Sequence, residues 1–419
     1  MNFLMLTTLD VLGRRNNREH HVIAAARQRF DQVTVVFRKR GAADRRFGAM
    51  MTTDRMAEIK GNVTYIGINP LLNPPDGAVR ARTQSEDKNG GHLRRAVGHA
   101  MDSAAILRDK MTIRALHDAG LSVTDSAPLV TMALGPWAAR AAERLRSSGH
   151  IGPYVYVDRD YEPGFMTSPL RRAWAMAQER RAVRQADLTL CIGRRLAGRF
   201  ENIRGSTIKL SPTGVDSGSI PQRSRKTPCA KLLFVGEVAP YSGIEEAIAA
   251  LPAIATHQAD AVLRVIGPVQ DGYRAYLEHL ADVAGVRDRI FIMGSRDRSE
   301  VFQELDQAGI GLAVFQPHPL RIHAAPLKVL EYMAAGLPVL ALEGSEAGDI
   351  VTGAGIGLVC ACTQAGIMDG VLRLLGDSAG YIAFSLAGPP AAAARDWAKV
   401  MRDEFALIDS LYQNGRGTG

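Results

Sequence analysis

Cysteine and aromatic residues are scarce in this 419-residue chain. Its four cysteines are scattered, and the two nearest, Cys360 and Cys362, lack the spacing of a zinc knuckle. A disulfide framework is therefore excluded, and reduced cytosolic thiols are expected. Aromatic residues make up only 6% of the chain and do not interleave with the arginines. That pattern argues against a base-stacking platform, and so against nucleic acid as a partner.

Long hydrophobic runs are missing as well. No stretch approaches the roughly 20 apolar residues that cross a membrane. Residues 1–9 are apolar but lack a basic segment and a small-residue cleavage site, so we interpret them as a buried strand rather than a signal peptide. These features predict a cytoplasmic protein.

Basic residues outnumber acidic ones, 51 to 43, which gives a formal net charge of +8. They cluster at residues 38–40, 45–46, 80–82 and 94–95. Such clusters suit anionic lipid, an acidic acceptor or nucleic acid, and a solvated basic face is the alternative. A peripheral position at the inner membrane face is the corresponding expectation.

Short apolar runs alternate with helical patterns through the second half of the chain. The predicted strands are 231–235, 261–266, 290–293 and 310–314. This alternation predicts a doubly wound parallel sheet, in which ligands bind at the carboxyl ends of the strands. The first half repeats the pattern less regularly. Because 419 residues exceed one core, we predict two Rossmann-like α/β domains facing a cleft.

The predicted boundaries follow from a Gly-, Pro- and Ser-rich stretch at 217–229. The first domain covers 1–216 and the second covers 217–394. A helix over about 395–412 is expected to pack back on the first domain.

One segment, residues 325–340, carries the strongest chemical signal. Pro326 suits a first helical turn, Lys328 and Glu331 lie three apart on one helix face, and Gly336 ends the helix. An ammonium group at a helix N-terminus can hold a diphosphate, which leaves the carboxylate for sugar hydroxyls. The alternative is an amphipathic helix with a solvated Lys–Glu pair.

Four segments in the same order resemble GT-B glycosyltransferases of the large group 1 family, of the bacterial exopolysaccharide or glycolipid type. They are Pro326-Leu327-Lys328 with Glu331-Tyr332, the turn 211–216, the helix–strand unit 179–200, and the strand 233–236. The resemblance implies hexosyl transfer from a UDP- or GDP-linked sugar to a hydroxyl of a glycan, a lipid-linked acceptor or a small molecule. It also implies an acceptor-binding first domain, a nucleotide-sugar-binding second domain, no cofactor and no metal.

The resemblance assigns donor-site roles by position. Glu331 would bind ribose hydroxyls, Lys328 would face the phosphates, and Gly236 would let the diphosphate approach closely. The further donor-site candidates are Leu327, Gly294, Ser295, Arg321 and His323. Turn or packing roles are the alternative for Leu327, Gly294 and Ser295.

Two positions depart from the family pattern. Tyr241-Ser242-Gly243 stands where many members have a Lys-Gly pair, and His323 stands where many have a glutamate. Lys328, helped by Arg321, would then have to supply the positive charge. The donor sugar and the stereochemical course stay open, with inversion preferred.

Two carboxylates follow the predicted strand at 154–157. In the resembling exopolysaccharide enzymes an aspartate in a Val-Tyr-x-x-x-Asp frame faces the cleft, and Val155, Tyr156 and Asp160 fit that frame. The resemblance therefore makes Asp160 the first choice for a general base that takes the acceptor proton, and Asp158 the second. Pairing with Arg159 or capping of a turn is the alternative. In the first loop, Gly13, His20 and His21 are candidates for lining the acceptor site, although surface histidines are common.

Two other function classes are alternatives to a transferase. A sugar-nucleotide epimerase or hydrolase shares the two-domain architecture but needs more acid–base residues. A non-catalytic nucleotide-sugar-binding protein would not need both Lys328 and Glu331.

Overall fold

The computed structural model describes residues 1–12, 18–38, 55–68, 92–121, 129–166, 168–224 and 227–414. These residues form two compact units, Met1–Ser211 with Met401–Gly419, and Pro212–Val400. Each unit has its own sheet with helices between the strands, and both sheets are parallel apart from one edge strand of the first unit. The predicted class of two doubly wound α/β domains is confirmed.

The first unit is built on a sheet in the order β3-β4-β2-β1-β5-β6-β7-β8. Only β3, which pairs with β4, is antiparallel among the described strands. The elements in chain order are β1 (Asn2–Thr7), α1 (Arg18–Arg29), β2 (Gln32–Arg38), β3 (Arg55–Lys60), β4 (Val63–Ile68), α2 (His92–Leu121), β5 (Leu129–Leu134), α3 (Pro136–Ser147), β6 (Tyr154–Asp158), α4 (Pro169–Gln185), β7 (Leu188–Cys191), α5 (Arg194–Gly198) and β8 (Thr207–Leu210).

Local sequence explains the clearest of these elements. β6 is buried along its whole length, as expected for a central parallel strand covered on both faces. Ser168 caps α4 by accepting a hydrogen bond from the backbone N–H of Arg171, and Pro169 takes the first helical position. The edge strands β3 and β8 were not predicted, because neither carries a continuous apolar run.

The second unit is built on an all-parallel sheet in the order β11-β10-β9-β12-β13-β14. Its elements are β9 (Lys231–Val235), α6 (Ile244–His257), β10 (Val262–Ile266), α7 (Tyr273–Val283), β11 (Ile290–Gly294), α8 (Arg298–Gln307), β12 (Ile310–Ala313), α9 (Pro319–Ile322), α10 (Leu327–Ala335), β13 (Val339–Leu342), α11 (Glu346–Ala354), β14 (Gly357–Cys360), α12 (Gln364–Gly376) and α13 (Ser378–Ala393). The strand order reverses between β9 and β12, which is the dinucleotide-fold order.

The last helix, α14 (Trp397–Asn414), begins in the second unit, and its residues from Met401 onward belong to the first. There Phe405 packs 5.9 Å from the ring of Phe3. The buried Glu404 forms an ion pair with Arg18. These contacts join the end of the chain to the core of the first unit.

Tyr332 fixes α10 against the sheet of the second unit. It is fully buried, and its hydroxyl accepts a hydrogen bond from the backbone N–H of Val235 at 2.9 Å. Gly311 on β12 leaves room for the ring, because a Cβ there would lie 2.4 Å from it. The helix ends at Gly336, in the left-handed conformation as predicted. It begins one residue later than predicted, since Pro326 is extended and precedes it.

Two further expectations bear on the whole chain. All four cysteines are buried and free. No described helix combines the length and the apolarity needed to span a membrane.

Candidate functional site

The reversal of strand order in the second unit creates a place for a ligand. β9 and β12 are parallel neighbours, and the connections that follow them run to opposite sides, from β9 to β10 and from β12 to β13. In open α/β sheets the crevice at such a point, beyond the carboxyl ends of the strands, is the usual binding place. Gly236 follows β9 there, and Phe315 follows β12.

Glycine lies at the carboxyl ends of three adjacent strands, at Gly236, Gly267 and Gly294. The N–H of Gly236 donates to the carbonyl of Ile266 at 2.8 Å, and the N–H of Gly267 donates to the carbonyl of Gly294 at 2.9 Å. A Cβ at Gly267 would lie 1.8 Å from the carbonyl oxygen of Gly236. At Gly267 the backbones therefore approach too closely for any side chain. Because Gly236, Gly267 and Gly294 all lack side chains, this end of the three strands, here named the glycine edge, presents bare peptide groups.

Lys328, at the start of α10, places its ammonium group beside this edge. Its Nζ lies 3.4 Å from the ring centroid of Phe234 and 4.9 Å from that of Phe315. A Cβ on Gly236 would lie 2.7 Å from the same nitrogen. Burial and the charge of Arg321 lower the pKa of Lys328 well below its ordinary value, although Glu331 opposes them. Because this setting disfavours the charged form of Lys328, a bound anion would stabilise that form.

Glu331, one turn further along α10, has a partner that the sequence did not predict. Arg298, at the start of α8, lies with its Nη1 3.5 Å from Oε1 of Glu331. The same guanidinium donates to the hydroxyl of Ser219 at 3.2 Å. Burial raises the pKa of Glu331, while Arg298 and Lys328 oppose that rise. A separation of 33 residues left no sequence signal for this pairing.

Arg321 is held by stacking. Its guanidinium carbon lies 4.0 Å from the ring centroid of Tyr241 and 5.9 Å from that of Phe315. The hydroxyl of Tyr241 in turn donates to Glu237 at 2.6 Å. His323 lies at the end of α9, where its Nδ1 is 2.6 Å from the carbonyl oxygen of Pro319. Phe315 is thus shared by the cations of Arg321 and Lys328.

The other predicted donor-site residues have simpler settings. Leu327 is 43% exposed at the first position of α10. Gly294 ends β11 with a φ of 72°, and the exposed Ser295 follows it. Gly294 and Ser295 lie at the end of β11, an edge strand two strands away from β9. Backbone hydrogen bonds at the end of β10, at Ile266 and Gly267, connect Gly236 with Gly294.

In the first unit the two candidate carboxylates differ in environment. Asp158, the last residue of β6, is 1% exposed and accepts a hydrogen bond from the Tyr156 hydroxyl at 2.7 Å. Burial raises its pKa to about 6. The side chain of Asp160 is 48% exposed, with Nε of Arg159 3.8 Å from its Oδ2. Arg159 also pairs with the buried Glu19 of α1.

Two further carboxyls near β6 were not predicted. Glu162 accepts a hydrogen bond from the indole N–H of Trp137 at 3.3 Å, and burial raises its pKa to about 7. Glu179 on α4 accepts from the backbone N–H of Glu162 at 3.1 Å and pairs with Arg199. Burial raises the pKa of Glu179 to about 8. The sequence places Glu162 two residues after the candidate base Asp160, which is the one signal that could have found it.

The first-loop candidates are described in part. Nε2 of His20 lies 2.8 Å from the carbonyl oxygen of Val11, and His21 is partly exposed on α1. Gly13 lies outside the described residues. Over the described part of the chain, no group of three or more His, Cys, Asp or Glu side chains is placed to hold a metal ion.

Comparison with known families identifies the second unit. Residues 229–377 match the family described as "Glycosyl transferases group 1". This segment is a group 1 glycosyltransferase domain. It contains Gly236, Arg321, Lys328 and Glu331, so the predicted donor residues belong to the matched domain. No curated protein matches the chain.

Solved structures show a likeness of fold over nearly the whole chain. Sucrose-phosphate synthase from Thermosynechococcus elongatus has a TM-score of 0.73 at 15% identity, covering 99% of this chain and 100% of that one. HepE from Anabaena, solved with UDP, has a TM-score of 0.66 at 15% identity, covering 98% and 100%. An α,α-trehalose-phosphate synthase (UDP-forming) from Burkholderia vietnamiensis has a TM-score of 0.66 at 15% identity, with the same coverage. At this identity the likeness establishes the GT-B fold.

Proposed function

We propose that this glycosyltransferase moves a sugar from a UDP-linked donor to an acceptor hydroxyl, with Asp160 as general base and no bound metal. The observation that carries the proposal is the placement of Lys328 beside Gly236, where the strand order of the second unit reverses. That crevice is where this fold class binds nucleotides.

The donor half of the proposal rests on complementary chemistry. The diphosphate lies against the glycine edge, where no side chain blocks its approach to Gly236, and Lys328 neutralises it. Glu331, kept in place by Arg298, accepts hydrogen bonds from the ribose hydroxyls. UDP is the favoured nucleotide because HepE was solved in complex with UDP and the Burkholderia synthase is UDP-forming.

Metal independence is part of the same proposal. As the bond between sugar and diphosphate breaks, negative charge develops on the leaving phosphate. Lys328 and the N-terminal peptide groups of α10 supply positive charge there, which is the task that a bound divalent cation would otherwise perform.

The base assignment rests on accessibility. A general base must come within hydrogen-bond reach of the acceptor hydroxyl. Asp160 has an exposed side chain, with Nε of Arg159 3.8 Å from its carboxylate. Asp158 is buried and already accepts the Tyr156 hydroxyl, so its proposed role is to support the end of β6.

The acceptor is proposed on chemical class alone: a hydroxyl of a glycan, a glycolipid or a small metabolite. Anionic membrane remains a proposed partner through the basic clusters. Flotation of the full chain with phosphatidylglycerol vesicles checks this, and binding that does not depend on the anionic lipid would remove it.

The central experiment separates donor binding from chemistry. UDP binding is measured by calorimetry, and transfer is measured as UDP release from a panel of UDP-sugars with soluble glycans and lipid extracts as acceptors. We expect Asp160→Asn to lower kcat by about 10²–10⁴ while UDP affinity stays unchanged, as is typical for loss of a general base. The exposed Asp271→Asn is the matched control. Full transfer activity in Asp160→Asn would refute the base assignment, and absence of UDP binding by the unmodified chain would refute the donor site.

A further inference from the structure

The loop between β12 and α10 has an unusual charge for a segment beside a sugar-binding site. From Val314 to Leu327 it contains Arg321 and two histidines, His318 and His323, and no acidic residue. Neutral sugars present hydroxyl groups, which carboxylates commonly bind as acceptors. A loop of donors without carboxylates suits a different ligand.

Arg321 is fixed in place but not neutralised. Its guanidinium carbon lies 4.0 Å from the ring centroid of Tyr241. A guanidinium held over an aromatic ring can still donate hydrogen bonds from its N–H groups to another partner. Within the described ranges, no carboxylate lies within ion-pair distance of it. The nearby acids are engaged elsewhere, since Glu237 accepts the Tyr241 hydroxyl and Glu246 accepts the side-chain amide of Gln316.

The two cations of this region occupy separate places. Lys328 is nearest to Phe234, at the end of β9, whereas Arg321 is nearest to Tyr241, in the turn before α6. Both lie within 6 Å of Phe315, at 4.9 Å and 5.9 Å from its centroid. Their mutual repulsion contributes to the lowered pKa of Lys328. An arrangement with this cost is most useful when the ligand carries two separate negative groups.

We propose that Arg321 binds a carboxylate on the donor sugar, so that the donor is a nucleotide-linked uronic acid. The inference rests on the proposed function, because Lys328 and the glycine edge are taken as the diphosphate site. The planar fork of arginine matches a carboxylate through two parallel hydrogen bonds. Arg321 is then a specificity residue for the sugar, distinct from the phosphate contact of Lys328.

The test compares three probes by calorimetry on the full chain: UDP, UDP-glucose and UDP-glucuronate. The unmodified chain is expected to bind UDP-glucuronate about tenfold or more tightly than UDP-glucose, as a hydrogen-bonded charge pair provides. Arg321→Gln should remove that preference, while its affinity for UDP alone should fall by a much smaller factor than its affinity for UDP-glucuronate. Arg321→Lys, which keeps the charge but loses the fork, should restore the preference in part. The exposed Arg373→Gln is the matched control.

Each result has a distinct meaning. Equal affinity of the unmodified chain for the two UDP-sugars overturns the inference and leaves the proposed function standing. If Arg321→Gln lowers the affinity for all three probes by the same factor, Arg321 is a phosphate ligand, and the inference of a uronic acid donor is overturned as well. If UDP itself does not bind, the proposed donor site fails, and the sugar specificity fails with it.

Discussion

Replacing Lys328 by methionine is the most informative single perturbation of the donor site. The change keeps an unbranched apolar side chain one atom shorter than lysine but removes the ammonium group that lies 3.4 Å from the Phe234 ring centroid. A hydrogen bond involving a charged group contributes about 1.5–3 kcal/mol. Loss of one such contact to the diphosphate corresponds to a weakening of UDP binding by a factor of about 10 to 150.

The same substitution should leave the free protein at least as stable. Burial lowers the pKa of Lys328, which means that folding disfavours its protonated form at neutral pH. The cation–π contact offsets about 2 kcal/mol of this cost. In the variant, contact between the methionine sulfur and the rings would replace part of that stabilisation. We expect the Tm of Lys328→Met to be unchanged or higher, in contrast to the loss of UDP affinity.

The pH dependence follows from the direction of the shift. The ordinary pKa of a lysine is 10.5, and that of Lys328 lies below it. The ammonium group is therefore present at low pH and is lost as the pH rises through the lowered value. UDP affinity of the unmodified chain should fall on the alkaline side earlier than an ordinary lysine would allow. Lys328→Met should not show this fall.

Calorimetric titration with UDP from neutral to alkaline pH, together with thermal melting, measures both effects. Lys399→Met makes the same chemical change on an exposed helix position and serves as the control. The reasoning is refuted if Lys328→Met binds UDP as tightly as the unmodified chain. A large drop in Tm would equally contradict the view that the buried ammonium group is held for function.

Two further predictions concern the support of the site. Gly236→Ala should weaken UDP binding, because the added Cβ would press on Nζ of Lys328. The φ of 141° at this position should also cause backbone strain of about 1–3 kcal/mol and lower the Tm. An unchanged Tm would contradict the observed geometry. Tyr332→Phe leaves the partly buried N–H of Val235 without its acceptor, so chemical denaturation should show a loss of about 1–3 kcal/mol in the free energy of unfolding. A stability equal to that of the unmodified chain would mean that this hydrogen bond does not anchor α10.

Sequence patterns predicted most of the second unit. β9, at Lys231–Val235, has the predicted bounds, and α10 begins one residue after the expected start. The physical reason is that parallel strands buried on both faces read as apolar runs, and glycine or proline marks their ends. The edge strands β3 and β8 escaped prediction because one face or one edge is in water and the apolar run is lost.

Contacts between distant residues were beyond the sequence. Glu331 and its partner Arg298 are 33 residues apart in the sequence, and Arg321 and Tyr241 are 80 residues apart. No local sequence pattern predicts contacts over such separations. Only the order of strands brings β9 beside β12 and so places Lys328 against Gly236.

The sequence by itself determined the α/β class, the family resemblance and the helix that carries Lys328 and Glu331, since these depend on periodicity and on spacing within one turn. Tertiary structure decided what each charge faces. It buried Asp158 and left Asp160 exposed, and it set Arg321 apart from Lys328 around a shared aromatic ring. Burial and charge proximity are properties of the folded chain, because they arise from residues that only packing brings together.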